Sequence, residues 1–589
     1  MKTLTRKTTK KMKTNPTYKV GDKVKLICGD RDYVMYGGGP YTIRKIKKEG
    51  KGLSYELLST CDSWWEEPEN FIPWVEAEPE GRSPAVGRYD NYDTSATTPS
   101  VVKLGVNMLN NTPLKTDSYK INHWNQYPWG TQFVYSYFES RKGAKYPVTI
   151  PFGLQAILLK HFVGVRVTKE MIDQAEMLME KHFGNKKYFN REGWEYILNT
   201  YGGKLPLRIR AVPEGTPVPT GNVLMTVENT DAKCFWLTNW AETLLTHVWY
   251  PSTVASLSRS VKNDIRHYME KSCDDLTWLN FKLHDFGYRG TECDESAQIG
   301  GAAHLINFEG TDTIAAMVFA MYYYNANANT IGKSVAATEH SIMTSRGPGE
   351  GEEIVVEDLL NEYSDPEQFI VLSCVADSFD IENFVENIIG KKFKARILER
   401  NGIFVVRPDS VRDANDTPEK QMVWILESLW KSFGGTINKK GFKLLDPHVK
   451  ALWGDGIDAL GISKICDAVV NAGFSIDCLA TFGMGGGLLQ KVNRDTQRFA
   501  FKSSAQCRNN QWIDIYKEPR DKSKASKRGK LKLIRTTGSH GSTYATVPLS
   551  AEGDDILETV FENGNLVKFI TFDEVRANSN VRTLEETIV

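Results

Sequence analysis

Five short apolar runs between residues 280 and 490 end abruptly in Gly, Asp, Arg or Ser. They are Lys282-Leu-His-Asp-Phe-Gly-Tyr-Arg-Gly290, Ile370-Val-Leu-Ser-Cys-Val-Ala-Asp-Ser-Phe-Asp380, Ile403-Phe-Val-Val-Arg-Pro-Asp-Ser410, Ala451-Leu-Trp-Gly-Asp-Gly-Ile-Asp458 and Cys478-Leu-Ala-Thr-Phe-Gly-Met-Gly-Gly-Gly487. A guanidinium fork matches two oxygens of a phosphate or carboxylate, so Arg289 and Arg407 are candidate anion clamps. Asp377, Asp409 and Asp455 offer hard oxygens suited to ribose hydroxyls or a magnesium shell. The glycines ending at Gly487 run into Leu488-Leu-Gln-Lys-Val492, which reads as a helix start. Backbone N–H groups at such a junction cradle a phosphate, and Arg494 could close over the same anion. In Ala336-Ala-Thr-Glu-His-Ser341, His340 could donate to a phosphate or accept a phosphoryl group. Singly, each has an ordinary reading as a turn, a cap, an ion pair or a core histidine. Jointly, cations, acids and a glycine cradle at successive run ends point to a phosphorylated sugar.

The elements that must position these groups follow from the spacing. The polar ends recur at intervals of a strand plus a helix, which predicts parallel strands with reactive groups at their C-terminal ends. The fold class expected is α/β, a (β/α) barrel with its site at the strand mouths. Helical spacing over Lys169–Phe183 places Met171, Ile172, Ala175, Leu178, Met179 and Phe183 on a core-facing side. Ahead of this lie a basic, disordered tail (1–16), a small all-β module (17–75) and a Pro/Gly/Ser/Asp/Thr-rich linker (76–104). The module resembles an SH3-like barrel, with strands expected over 18–27, 41–46 and 54–58 and with Trp64, Trp65, Phe71 and Trp74 as its apolar cap. Its partner is unknown, and tethering and purely structural roles stay open.

Bulk properties exclude several classes. Lys+Arg and Asp+Glu both total 73, so no global field draws the protein to nucleic acid or membrane. No apolar run is long enough to cross a bilayer, and none near Met1 reads as a signal peptide. The nine cysteines are scattered without a C-x-x-C pair, which predicts reduced thiols and a cytoplasmic setting. The ten histidines show no metal-binding spacing, so no protein-only metal site is expected.

At these residues the sequence resembles the nicotinamide phosphoribosyltransferase family. The likeness begins near Asn107 with Leu114-Lys-Thr-Asp-Ser-Tyr-Lys120 and Tyr135-Ser-Tyr-Phe-Glu139, and passes through Ala211-Val-Pro-Glu-Gly215 and Thr238-Asn-Trp240. It continues through His284–Gly290, Gly310-Thr-Asp-Thr313, Glu339-His340, Arg407–Ser410, Gly454-Asp-Gly456 and Gly485–Lys491, and ends near Arg576. Four positions depart from the family pattern without removing a ligand: Lys333, Ala336, Phe379 and Val411.

The resemblance implies a type II phosphoribosyltransferase fold. Its irregular barrel would span 251–489, and a β-rich domain would be built from 105–250 and 490–589. It implies conversion of nicotinamide and phosphoribosyl pyrophosphate to nicotinamide mononucleotide and pyrophosphate, with Mg²⁺ and with ATP as a coupling substrate. A homodimer is implied, in which Phe286 and the partner subunit's Tyr119 sandwich the nicotinamide ring. Asp312 would accept the carboxamide N–H, and Arg289, His340 and Arg407 would hold the pyrophosphate end. Asp409, Gly454 and Asp455 would contact the ribose region, and Gly485, Gly486 and the partner subunit's Arg494 would take the 5′-phosphate. The histidine matching His340 is phosphorylated by ATP in the family. Two alternatives remain at this level: a nicotinate phosphoribosyltransferase, and a catalytically silent binding protein.

Overall fold

The computed structural model describes residues 108–520, 525–538 and 541–580, together with five strands within 23–73. The chain forms two compact units, Met1–Ser100 and Val101–Val589. In the first, an antiparallel sheet runs in the order Ser63–Glu66, Gly52–Leu58, Tyr41–Glu49, Lys23–Leu26, Phe71–Pro73. The three strands expected from sequence overlap members of this sheet. The tail 1–16, the linker 76–104 and the side chains of the four capping aromatics lie outside the described residues.

Among the described residues, the second unit has two seven-stranded sheets and three small two-stranded ones. Seven parallel strands form the first: β1 (Leu283–Asp285), β2 (Gly310–Thr311), β3 (Ala336–Ala337), β4 (Val371–Val375), β5 (Ile403–Arg407), β6 (Val449–Trp453) and β7 (Leu479–Met484), in the spatial order β2-β1-β7-β6-β5-β4-β3. The sheet curls until its edges meet, because Thr311 N donates to Lys333 O at 3.1 Å and Lys333 N to Glu309 O at 2.7 Å, three residues before β3. Helices return the chain between successive strands, such as Asp294–His304 after β1, Gly351–Glu362 after β3 and Ala459–Asn471 after β6. Buried Phe404, Val405 and Val406 in β5 show why these strands are continuous apolar runs: both faces of a parallel sheet are covered.

Local signals delimit the helices. Thr417 accepts from Lys420 N at the start of Pro418–Phe433, with Pro418 where no N–H is needed, and Gly434 at φ 78° ends it. Lys169–Phe183 is likewise capped by Thr168 and stopped by left-handed Gly184. Its buried stripe is Ile172, Ala175 and Met179, whereas Leu178, expected on that face, is 38% exposed. At about 100° per residue Leu178 lies roughly 120° round from Ile172, outside the stripe.

The second sheet is antiparallel and drawn from both ends of the unit, in the order Gln511–Asp514, Phe499–Arg508, Thr131–Ser140, Val223–Asn229, Leu207–Ala211, Glu558–Glu562, Asn565–Leu566. It has its own core, with Phe138, Trp194, Trp240 and Phe561 among its members. The last helix, Phe572–Ser579, packs instead into the barrel core through Phe572 and Val575. Arg576 pins it there by donating to the carbonyls of Leu305, Thr330 and Ile331. Glu214, in the Ala211–Gly215 motif, is buried and accepts from Gly153 N, Gln155 N and Tyr324 OH, capping the helix Leu154–His161 from outside it.

Candidate active site

Every strand of the curled sheet delivers a sequence-selected group at or just past its C-terminal end: Phe286 after β1, Asp312 after β2, His340 after β3, Asp377 after β4, Arg407 and Asp409 at β5, Gly454 and Asp455 after β6, Gly485 after β7. Parallel strands share one direction, so these ends gather at one mouth.

At the β4–β5 side the groups hold one another directly. Arg407 donates from Nε and Nη2 to the two oxygens of Asp409, at 2.9 and 3.2 Å. Asp377 accepts from Asp409 N at 3.0 Å and from Ser410 Oγ at 2.5 Å through Oδ2, while its buried Oδ1 has no hydrogen-bond partner among the described residues. His340 is half-exposed, with Nδ1 3.0 Å from Ser378 Oγ and Nε2 3.7 and 3.9 Å from Asp409 and Asp377. Burial, reinforced by the charges of Asp409 and Asp377, raises the Asp455 carboxyl above the ordinary range. Such a set of mutually repelling hard oxygens suits a cation or ribose hydroxyls. Among the described residues, no three His, Cys, Asp or Glu side chains form a metal cage by themselves.

Phe286 joins this half to the glycine loops. Its ring centroid lies 5.0 Å from Arg407 Cζ, a cation–π contact. A Cβ at Gly483 would sit 2.0 Å from the ring and one at Gly454 3.1 Å from it, so the ring packs against two side-chain-free strand ends. Phe286 N donates to Met484 O at 3.1 Å, and a Cβ at Gly485 would come 3.2 Å from Phe286 O. The expected helix after the glycines is short, Gly486–Leu489, so it contributes amides rather than a long dipole. Arg289 stands exposed on the turn Tyr288–Gly290, beside this loop. Hypothetical Cβ atoms at Gly290 and Gly486 would both lie 3.2 Å from Gln490 Oε1.

On the far side, Asp312 accepts from His284 Nε2 at 2.8 Å and from Ser334 Oγ at 2.6 Å. Burial pushes its carboxyl up, but His284, Ser334 and the Arg407 charge outweigh that and hold it below the ordinary range. Asp285, at the end of β1, is fully buried. Its Oδ1 accepts from Gly287 N at 2.7 Å, fixing the turn that presents Phe286, and burial pushes its carboxyl up to about 6.

Two selected residues lie elsewhere. Tyr119 and Arg494 share a cavity of about 330 Å³ with Asp117, Arg141, Glu242 and Lys502, lined by none of the barrel-mouth groups. Sequence reasoning missed His284, Ser334, Asp285 and Ser378, and it placed Gly483 in the phosphate-cradling loop rather than under the Phe286 ring. Asp285 and Ser378 each adjoin a selected residue at a strand end, which was the available signal, whereas His284 and Ser334 carried no such signal.

Comparisons with known proteins bear on this arrangement. Residues 111–209 match the nicotinamide phosphoribosyltransferase N-terminal domain, and residues 281–565 match the nicotinate phosphoribosyltransferase (NAPRTase) family. The chain is 43% identical to the nicotinamide phosphoribosyltransferase of Xanthomonas campestris pv. campestris (strain 8004), over 81% of this chain and 99% of that protein. It is 32% identical to the nicotinamide phosphoribosyltransferase of Acinetobacter baylyi, over 78% of this chain and 95% of that protein. Among solved structures, human nicotinic acid phosphoribosyltransferase matches with a TM-score of 0.48 at 14% identity, over 79% of this chain and 92% of that one. Among the described residues, no helix is long and apolar enough to cross a membrane.

Proposed function

The chain belongs to the nicotinamide phosphoribosyltransferase family, and from that membership we infer that it joins nicotinamide to phosphoribosyl pyrophosphate, releasing pyrophosphate and forming nicotinamide mononucleotide. The observation that carries this reading is the convergence of all seven strand ends on one mouth, with Phe286 linking Arg407 to the glycine loops. Pyrophosphate leaves ribose C1 as the ring nitrogen approaches, through a cationic transition state. The reaction needs no protein nucleophile. It needs two reactants held in line and a departing charge neutralised.

The roles follow from chemistry at each end. Phe286 offers a flat face to the pyridine ring, and Asp312 accepts the carboxamide N–H. Arg407 and Arg289 take the pyrophosphate, Asp409, Gly454 and Asp455 the ribose, and Gly485 and Gly486 the 5′-phosphate. Mg²⁺ fits a site of this donor type, held by substrate phosphates with Asp455 and the unpartnered Oδ1 of Asp377, and it would neutralise pyrophosphate charge. ATP hydrolysis would be coupled through His340, whose Nδ1 is held by Ser378. The enzyme would work as a homodimer, each barrel mouth completed by the partner subunit's Tyr119 and the partner subunit's Arg494. Their place in a separate cavity of one chain supports that division.

The test is product formation. Purified protein given nicotinamide and phosphoribosyl pyrophosphate yields nicotinamide mononucleotide, more of it with ATP, and turns over nicotinate far more slowly. Arg407→Ala costs about a hundredfold in kcat, the usual scale for one lost charge contact in a transition state. Preference for nicotinate would instead assign the chain to the acid-using branch, for which the match over 281–565 provides the rival reading.

A further inference from the structure

Asp312 is not a free carboxylate at the strand end. Both hydrogen bonds it accepts fall on the same oxygen, Oδ1, from His284 Nε2 and from Ser334 Oγ. Among the described residues Oδ2 accepts nothing. The donors come from opposite sides, β1 and the segment leading into β3, and the Asp312 amide is pinned between them by donating to Asp285 O at 3.0 Å. A carboxylate offers about four lone-pair directions on two oxygens, so saturating one oxygen fixes the plane of the group and aims the other.

The fold makes room for this. His284 pairs in register with Gly310, and a Cβ on Gly310 would lie 2.7 Å from His284 Nδ1. Only a glycine lets the imidazole lie across its neighbour strand with Nε2 reaching Asp312. Because the acceptor is an ionised carboxylate, Nε2 carries the proton.

We propose that His284 is a positioning residue for base selectivity: with Ser334 it locks Asp312 through Oδ1, so that Oδ2 meets an amide N–H and repels a carboxylate. The proposal rests on the transferase reading and adds to it the residue that sets the discriminating group. Nicotinamide supplies a donor to Oδ2. Nicotinate at neutral pH brings a second negative charge and no donor, which a fixed carboxylate cannot turn away to avoid. A loosely held Asp312 could rotate and tolerate either base.

The charged groups facing Asp312 are His284 and Asp285 on β1 and Arg407 on β5. Arg407 stays in place when His284 is replaced, so Asp312 loses one support and keeps another.

The experiment measures kcat/KM for nicotinamide and for nicotinate, across pH, in wild type, His284→Phe, His284→Gln and Ser334→Ala. His284→Phe keeps a ring and removes the donor. It lowers the nicotinamide-to-nicotinate ratio about tenfold or more, the scale of a lost hydrogen bond to a charged group, and moves the acid limb for nicotinamide to higher pH. His284→Gln, which can still donate an N–H, recovers the ratio to within about threefold. Ser334→Ala shifts the ratio in the same direction by less, and decides the matter if His284→Phe does not fold. An unchanged ratio in both His284→Phe and Ser334→Ala, in a protein whose wild type prefers nicotinamide, overturns the positioning role alone. A wild type that prefers nicotinate overturns the base assignment itself, and the proposal with it.

Discussion

Two carboxylates within one mouth show how differently the same residue type is held. Asp409 is chelated by a guanidinium, while Asp285 is buried and the Gly287 amide only partly offsets its desolvation. The second carries a cost that pH can reveal. With a folded-state value of about 6 against an ordinary value of about 3.9, Asp285 binds its proton more tightly when folded. Its stabilising contribution is therefore full below about pH 4 and is lost as pH rises through about 6, leaving a penalty on the order of 3 kcal/mol in neutral solution. Asp285→Asn keeps an oxygen for Gly287 N and removes the charge. Thermal unfolding is expected to show a raised Tm for the variant at pH 8 and no gain at pH 4; an equal gain at both would mean that charge burial is not its cause.

Among the elements, β7 is the most restrictive, because its backbone forms part of the floor beneath Phe286. Gly483→Ala puts a methyl 2.0 Å from the ring, against a strand that cannot retreat from β1 without breaking their shared ladder. Displacing the ring is expected to raise KM for nicotinamide about tenfold while leaving KM for phosphoribosyl pyrophosphate within a factor of about two; steady-state kinetics with each substrate varied in turn checks this. The strand ends were legible in sequence because a buried parallel strand is a continuous apolar run, and whatever polar residue ends it must face the mouth. Arg407, Asp409 and Asp377 could be picked out on that ground. His284 and Ser334 could not, since their part depends on which strand lies beside which: His284 opposite Gly310, and the Lys333 bridge that brings Ser334 round to β2. Leu178 shows the reverse failure, a residue assigned to the core by spacing though the neighbouring elements leave its side of the helix open.

Across the whole molecule, the site residues fall into two groups that one chain keeps apart, the barrel mouth and the cavity of Tyr119 and Arg494. If two copies complete each other, inactive variants from the two groups must rescue one another. Tyr119→Ala and Arg407→Ala proteins, unfolded and refolded together, are expected to recover about a quarter of wild-type turnover, since random pairing makes half the dimers hybrid with one intact site of two. Recovery no greater than the separate variants would show that each chain builds its own site. The arrangement of the antiparallel sheet has its own consequence for how the protein is made. Thr131–Ser140, Val223–Asn229 and Leu207–Ala211 are flanked on both sides by strands from the end of the chain, Phe499–Arg508 and Glu558–Glu562. During synthesis the first three strands therefore emerge from the ribosome with both borders unpaired, and they stay so while the entire barrel is translated. Slow elongation or premature termination beyond the barrel would leave a folded catalytic half attached to a sheet that is prone to aggregate.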